Sequence, residues 1–247
     1  MTKGRISLPL QFLIYLLLFA VVAFALSEVG RRFGAPVETT QDSPALKDFT
    51  VVLDAGHGGE DGGAVSASGI YEKNLNLSIA MLVRDLLEAN GVKVVMTRET
   101  DILLYDRNVD YVGRKKALDL AARRQIAEQT PNAIFVSIHM NAYPQTQYRG
   151  LQVWYSPNNH GSEEIAKCVQ ERVRGTVQPE NDRQIKLATS SIYLLHHLEI
   201  PAVLIECGFL SNPEEAALLA TSDYQRQLAL SIFLSIMDSQ SATVPLP

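Results

Sequence analysis

Val51-Val52-Leu53-Asp54-Ala55-Gly56-His57-Gly58-Gly59 decides how this chain is read. Its first half is β-branched and apolar, the pattern of a strand buried on both faces. Its second half is a glycine-rich turn that carries a histidine. Ile134-Phe135-Val136-Ser137-Ile138-His139 and Ala202-Val203-Leu204-Ile205-Glu206 repeat the design: an apolar run, then a residue that can bind a metal or move a proton. In an open α/β sheet the carboxyl ends of the strands line the ligand crevice. Two histidines and a glutamate arriving there from three distant places look like one zinc hydrolase site.

The segments between these runs alternate in period. Strand patterns fall at residues 49–54, 92–97, 133–139, 151–155 and 202–206. Leu75, Ile79, Leu82, Val83, Leu86 and Leu87 mark a helix over 72–90, with Gly91 as its stop. Further helices are expected at 112–129, 163–174 and 222–237, and Asn212 caps a short one with Pro213 at its first position. The alternation predicts an α/β fold, a single domain with a mostly parallel twisted sheet flanked by helices. At 47% apolar and 20% charged over 247 residues, the chain can bury the core of one such domain plus an appendage. A net charge of −5 gives no basis for a nucleic-acid partner.

That appendage is at the N-terminus. Lys3 and Arg5 precede an apolar run from Leu8 to Leu26, interrupted only by Pro9 and Gln11. Its length is near the ~20 residues that span a bilayer. The preceding positive charges direct the N-terminus to the cytoplasm and the rest of the chain to the far side. Ala23-Phe24-Ala25 offers a cleavage pattern, so residues 1–30 read equally as a membrane anchor, an N-terminal hydrophobic helix, or a removed signal segment. Either way the domain is exported, and no cysteine near the run suggests a lipoprotein. Residues 31–47, with Pro36, Thr39, Thr40, Asp42, Ser43 and Pro44, read as a linker. The domain is expected over 48–238 and a flexible tail over 239–247. Cys168 and Cys207 read as two buried thiols rather than a disulfide.

Each candidate residue has a bland alternative. The glycines around His57 permit a phosphate cradle as well as a metal-ligand loop, although the Lys-Ser/Thr of a P-loop is missing. Asp54 reads as a group that orients a ligand or caps the turn. Glu72 opens a helix, where an acid complements the dipole or ligates a metal. His139 gains weight from its pairing with His57. Glu206 at the end of an apolar strand needs an arginine partner, a metal or a cleft, where it would serve as general base. His160 lies in a turn and reads as solvated, and His196-His197 as a surface pair. Arg98, Arg107, Arg114 and Arg123 are candidates to bind acidic groups of a substrate or to form ordinary ion pairs. No Ser-His-Asp or Cys-His arrangement stands out.

Taken in order, Asp54-Ala55-Gly56-His57-Gly58-Gly59, Glu72-Lys73, Ser137-Ile138-His139-Met140-Asn141-Ala142 and Ile205-Glu206-Cys207-Gly208-Phe209-Leu210-Ser211-Asn212 resemble the zinc-dependent N-acetylmuramoyl-L-alanine amidases of the amidase-3 type. The resemblance covers residues 49–237. It implies one Zn²⁺ ion on His57, Glu72 and His139, Glu206 as the catalytic glutamate, and peptidoglycan as substrate. Asn141 and Arg123 are then expected to contact that substrate. The single hydrophobic segment, Val112-Gly113-Arg114-Lys115-Lys116-Ala117-Leu118-Asp119-Leu120 and Pro201-Ala202-Val203-Leu204-Ile205-Glu206 are most similar to the germination-specific amidases of spore formers. Those act on the spore cortex. Ala127-Glu128 departs from the Ala-Asn common in the family. No segment is long enough to be the autoinhibitory helix of some division-associated relatives. An anchored enzyme without a wall-binding module also implies an accessory activator protein. Two rival readings remain at this level: a zinc peptidase acting within the stem peptide, and a non-catalytic wall-binding protein.

Overall fold

The computed structural model describes residues 49–106 and 108–241. Its centre is β1 (Thr50–Ala55), which pairs in parallel with β2 (Lys93–Met96) on one side and β3 (Ala133–Asn141) on the other. Next to β3 runs β6 (Ala202–Phe209), again parallel. β4 (Gln152–Tyr155) pairs antiparallel with β6, and β5 (Lys186–Leu187) closes the sheet beside it in the order β2-β1-β3-β6-β4-β5. The expected mostly parallel sheet is therefore present over β2, β1, β3 and β6, with two reversed strands, β4 and β5, at one edge that local sequence did not reveal.

Alternation of side chains across the strands sorts the core into two layers. Val51 and Leu53 of β1, Val136 and Ile138 of β3, and Val203 and Ile205 of β6 face one side. There they pack on α1 (Glu72–Ala89), α3 (Gly161–Thr176), α5 (Pro213–Leu219) and α6 (Ser222–Ser241). Val52, Phe135 and Ala202 face the other side, against α2 (Lys115–Gln129) and α4 (Tyr193–His197). Each wholly buried Val, Leu or Ile contributes roughly 1.5–3 kcal/mol relative to exposure. The same alternation carries Asp54, Ser137, His139 and Glu206 to the α2/α4 side of the strand ends. One-residue slippage would turn all four toward the wrong layer.

Most element ends agree with the sequence, and the departures have local causes. α1 stops where expected: Gly91 takes φ 79°, its N–H donates to Glu88 O, and Val92 N–H donates to Leu87 O. α2 starts three residues later than the periodicity suggests, because Gly113 takes φ 70° just before it. β3 and β6 run two and three residues past their histidine and glutamate, with a register shift between His139 and Asn141. The helix expected to end at 237 continues to Ser241, and Ser239 is buried, which corrects the tail expected from residue 239. β5 and α4 were not foreseen. Both cysteines are free; Cys207 is buried, and burial pushes its thiol up, whereas Cys168 is only half-buried. No helix among the described residues is long and apolar enough to cross a membrane. The apolar run from Leu8 to Leu26, the linker and Arg107 lie outside the described residues.

Asn212 caps α5 as expected, its Oδ1 accepting from the N–H groups of Glu214 and Glu215 at 3.0 Å each, with Pro213 following. Replacing Asn212 with Ala should destabilise the domain by about 1 kcal/mol, read as a lower urea midpoint. An unchanged midpoint would show that the cap contributes nothing.

Candidate metal centre

His57 stands in the loop after β1 at φ 61°, a conformation that the surrounding glycines make accessible. Its Nε2 lies 3.3 Å from Glu72 Oε1, and its Nδ1 lies 2.9 Å from Asp61 Oδ2. His139, on β3, brings its Nδ1 to 2.8 Å from the same Glu72 Oε1. The two imidazoles meet edge to face with centroids 4.9 Å apart. His57, Glu72 and His139 thus each offer a donor atom within 4.8 Å of the others. Asp61, four residues after His57, was not singled out in the sequence. Its carboxylate fixes the His57 ring by holding Nδ1, which leaves Nε2 for the centre.

Glu72 is 3% exposed and tightly held. Its Oε2 accepts from Ala64 N–H at 2.8 Å, and its Oε1 accepts from Met140 N–H at 3.0 Å and Asn76 Nδ2 at 3.3 Å. Burial opposes its ionisation, but hydrogen bonds and charge from His139 and His57 outweigh it and keep the carboxyl far below the usual range. This is more than complementarity to a helix dipole. The glycines have a steric reason as well. A Cβ on Gly56 would stand 2.1 Å from His139 Nε2, and one on Gly63 would stand 2.5 Å from Glu72 Oε2. The loop is shaped to make room for the cluster, which answers the phosphate-cradle alternative.

Glu206 sits beside His139, its Cα partner in the β3–β6 ladder. It accepts a hydrogen bond from Asn141 Nδ2. Among the described residues no arginine or lysine forms an ion pair with it, so the bland reading of this residue does not hold. Burial raises its pKa above the ordinary carboxylate value, against the opposing pull of Trp154, His139 and Asn141.

The structure corrects the expectation for Arg123. It is 1% exposed and turned inward, not toward a substrate. Its Nη1 donates to Asp54 Oδ1 at 2.6 Å and Ala55 O at 2.9 Å, its Nε to Asp119 at 2.7 Å, and its Nη2 to His57 O at 2.8 Å. Arg98 is likewise buried and donates to the carbonyls of Ala55, Gly56, Lys73 and Thr100. Asp54 also accepts from Thr97 Oγ1 and Ser137 Oγ. Burial works against its charge, yet Arg123 and these hydroxyls prevail and hold its pKa below the ordinary value. Asp54 therefore supports the loop from behind. Arg114 and His160 are exposed. His197 Nδ1 meets the Tyr193 carbonyl within α4. Glu128 pairs with Arg124 on the surface of α2, so the departure at Ala127-Glu128 leaves the centre untouched.

Residues 51–238 of the chain match a sequence family described as N-acetylmuramoyl-L-alanine amidase. The chain belongs to that family. It is an enzyme that hydrolyses the amide bond between N-acetylmuramic acid and L-alanine in peptidoglycan, which decides against a bond within the stem peptide and against a purely binding role. It is 35% identical to the germination-specific N-acetylmuramoyl-L-alanine amidase of Bacillus subtilis, over 94% of this chain and 92% of that one. Among solved structures it is similar to the CwlD amidase from Clostridioides difficile in complex with the GerS lipoprotein. That match has a TM-score of 0.75 and 40% identity and covers 79% of this chain and 100% of that one. An N-acetylmuramoyl-L-alanine amidase from Clostridium difficile 630 matches with a TM-score of 0.69 and 32% identity, over 80% and 100% of the two chains.

Two outcomes follow for the amidase. Gly56→Ala should displace His139 and weaken binding of added zinc by about 10–100-fold, measured by titration of the metal-free protein; unchanged affinity would mean that the ring has room to move. Asp54→Asn should lower the unfolding free energy at pH 7 by roughly 1.5–3 kcal/mol, because it removes one of the two carboxylates paired with buried Arg123 while Asp119 stays. The folded pKa of Asp54 is depressed, so its stabilisation is complete above the unfolded value of ~3.9 and is lost as pH falls toward the folded one. Urea midpoints of the two proteins should therefore converge below about pH 3.9. A gap that stays constant to pH 3 would contradict the assignment.

Proposed function

We propose that the amidase works with one zinc ion held by His57, Glu72 and His139, and that Glu206 carries the proton of the reaction. The observation behind this is the gathering of three donor atoms within 4.8 Å, with a fourth, unpaired carboxylate on the adjacent strand. The donor set suits the ion. Tetrahedral zinc with ligands at ~2.0–2.1 Å requires donors roughly 3.3 Å apart, and the two His–Glu72 separations are 3.3 and 2.8 Å. Bound there, zinc would polarise a carbonyl and bring the pKa of water toward ~7.

The chain's own groups account for the rest. Glu206 takes a proton from the water that attacks the lactyl carbonyl, then delivers it to the departing amine of L-alanine. Its raised pKa suits a carboxylate that must hold that proton between the two steps. The Asn141 amide orients the Glu206 carboxylate and reaches the substrate from the same strand end. Asp61 holds the His57 ring, and Asn76 and two backbone N–H groups hold Glu72, so the centre is set before substrate arrives.

We place this activity in spore cortex maturation, as the likeness to the germination-specific enzyme of Bacillus subtilis suggests. The residue 8–26 segment holds the chain at, or releases it beyond, the outer face of the cytoplasmic membrane, where peptidoglycan lies. An accessory protein takes part in targeting or activation; the CwlD amidase of known structure is bound to the GerS lipoprotein.

Purified protein incubated with peptidoglycan should release stem peptides beginning with L-alanine, detected by mass spectrometry. Chelation should stop the release, and added zinc should restore it. Glu206→Ala should reduce turnover by about 10²–10⁴-fold while bound zinc stays at one ion per chain. Loss of zinc in that variant would show that Glu206 is a ligand and the roles are exchanged.

A further inference from the structure

The bond that breaks joins a lactyl carbon to the alanine nitrogen, and the nitrogen must be protonated as it leaves. With Glu206 as the proton carrier, the alanine amine lies against Glu206 and the peptide runs on from there. Glu206 borders a groove of about 420 Å³ that also holds Asn141, Tyr148, Trp154, Arg183, Lys186 and Phe209. The Arg183 guanidinium lies 4.5 Å from the Phe209 ring centroid and 5.9 Å from that of Tyr148. Lys186 Nζ stands 5.1 Å from the Trp154 ring centroid. Arg183 is fixed by bonds from Nε to Arg149 O at 2.8 Å and from Nη1 to Gln152 Oε1 at 3.3 Å. Among the described residues neither cation has an ion-pair partner. The buried Trp154 indole N–H is directed at Glu206. A second cavity, of about 210 Å³, opens on the His57 and His139 side and is lined by Leu120, Ile192, Tyr193 and Leu195, with Lys116 facing Asp61.

Cations without an ion-pair partner, held over aromatic rings in a groove, call for a ligand that brings carboxylates. The stem peptide carries them just beyond its alanine. We propose that the groove from Glu206 to Arg183 and Lys186 receives the stem peptide, that these two residues bind its carboxylate, and that the amidase therefore prefers free-acid over amidated stem peptides. The acyl and sugar half then lies over the apolar cavity on the other side. The orientation rests on the proton route through Glu206; the charge preference rests on the groove.

Trp154 is the sole tryptophan of the chain, so its fluorescence reports this groove directly. Zinc-loaded protein is titrated with L-alanyl-γ-D-glutamyl-diaminopimelate, with the amidated form of the same tripeptide, and with N-acetylmuramic acid. The free-acid peptide should perturb Trp154 and bind about tenfold tighter than the amide, a difference of ~1.4 kcal/mol. Arg183→Gln and Lys186→Gln should each remove most of that preference, and Arg183→Lys should keep part of it. Equal affinity for the two peptides, or an unaltered preference in both Gln variants, overturns the charge assignment. A Trp154 response to the sugar and not to the peptide overturns the orientation. Binding is read without turnover. If Glu206→Ala still cleaves while the peptide preference holds, the proton route fails alone and the carboxylate site stands.

Discussion

Arg123 and Asp54 meet at 2.6 Å, both essentially inaccessible to water, in the layer between the sheet and α2. Taking two ions out of water costs several kcal/mol each unless every remaining donor and acceptor is matched. Here they are matched. Asp54 gathers Thr97 beyond β2, Ser137 of β3 and Arg123 of α2, while Arg123 adds Asp119 and the carbonyls of Ala55 and His57. One charged cluster therefore ties three neighbouring strands or their ends to a helix and to the loop that carries His57. A hydrophobic layer could stabilise the sheet as well, but it could not hold a histidine carbonyl at a fixed point.

In front of that cluster the chain is crowded on purpose. Gly56 and Gly63 leave no room for a side chain because His139 and Glu72 occupy the space a Cβ would take. Arg98 fastens the start of the same loop through the carbonyls of Ala55 and Gly56, and ties it to those of Lys73 in α1 and Thr100 after β2. The loop cannot relax without breaking charge-assisted bonds in the interior, each stronger than a neutral one. Rigidity of this kind keeps a donor cluster within the tolerance that metal chemistry requires.

The two sides of the site differ in character. The side next to His57 and His139 is mainly apolar, and its Lys116 faces the Asp61 carboxylate. The side next to Glu206 is aromatic and carries two cations, Arg183 and Lys186, that form no ion pair among the described residues. Such an asymmetry is a means of orienting a substrate whose two halves differ in charge, since like-charge or uncompensated placements are disfavoured. Glu206, on the border, is the one acid facing the cationic side, and its raised pKa reflects burial winning over neighbouring donors.

The sequence by itself determined the alternating fold, because apolar runs of β-branched residues and 3.6-residue stripes are local signals. It also nominated His57, His139 and Glu206, because polar residues at the ends of buried strands are costly and must have a use; Glu72, at a helix start, was nominated by the family resemblance. It could not reveal β5, with two residues, or α4, with five, since neither is long enough to show a period. The reversal of β4 escaped it too, as strand direction is set by connections through space. Arg123 was misread because a formula for arginine does not say which way a guanidinium turns. Asp119, Arg123 and Ala127 do share one buried face at i, i+4 spacing, which was the available hint. Tertiary structure alone decided that a parallel register sets His139 beside Glu206, that two glycines yield their Cβ space to the cluster, and that the groove's cations form no ion pair among the described residues. Those are facts of distance between segments far apart in the chain, fixed only when the sheet closes around them.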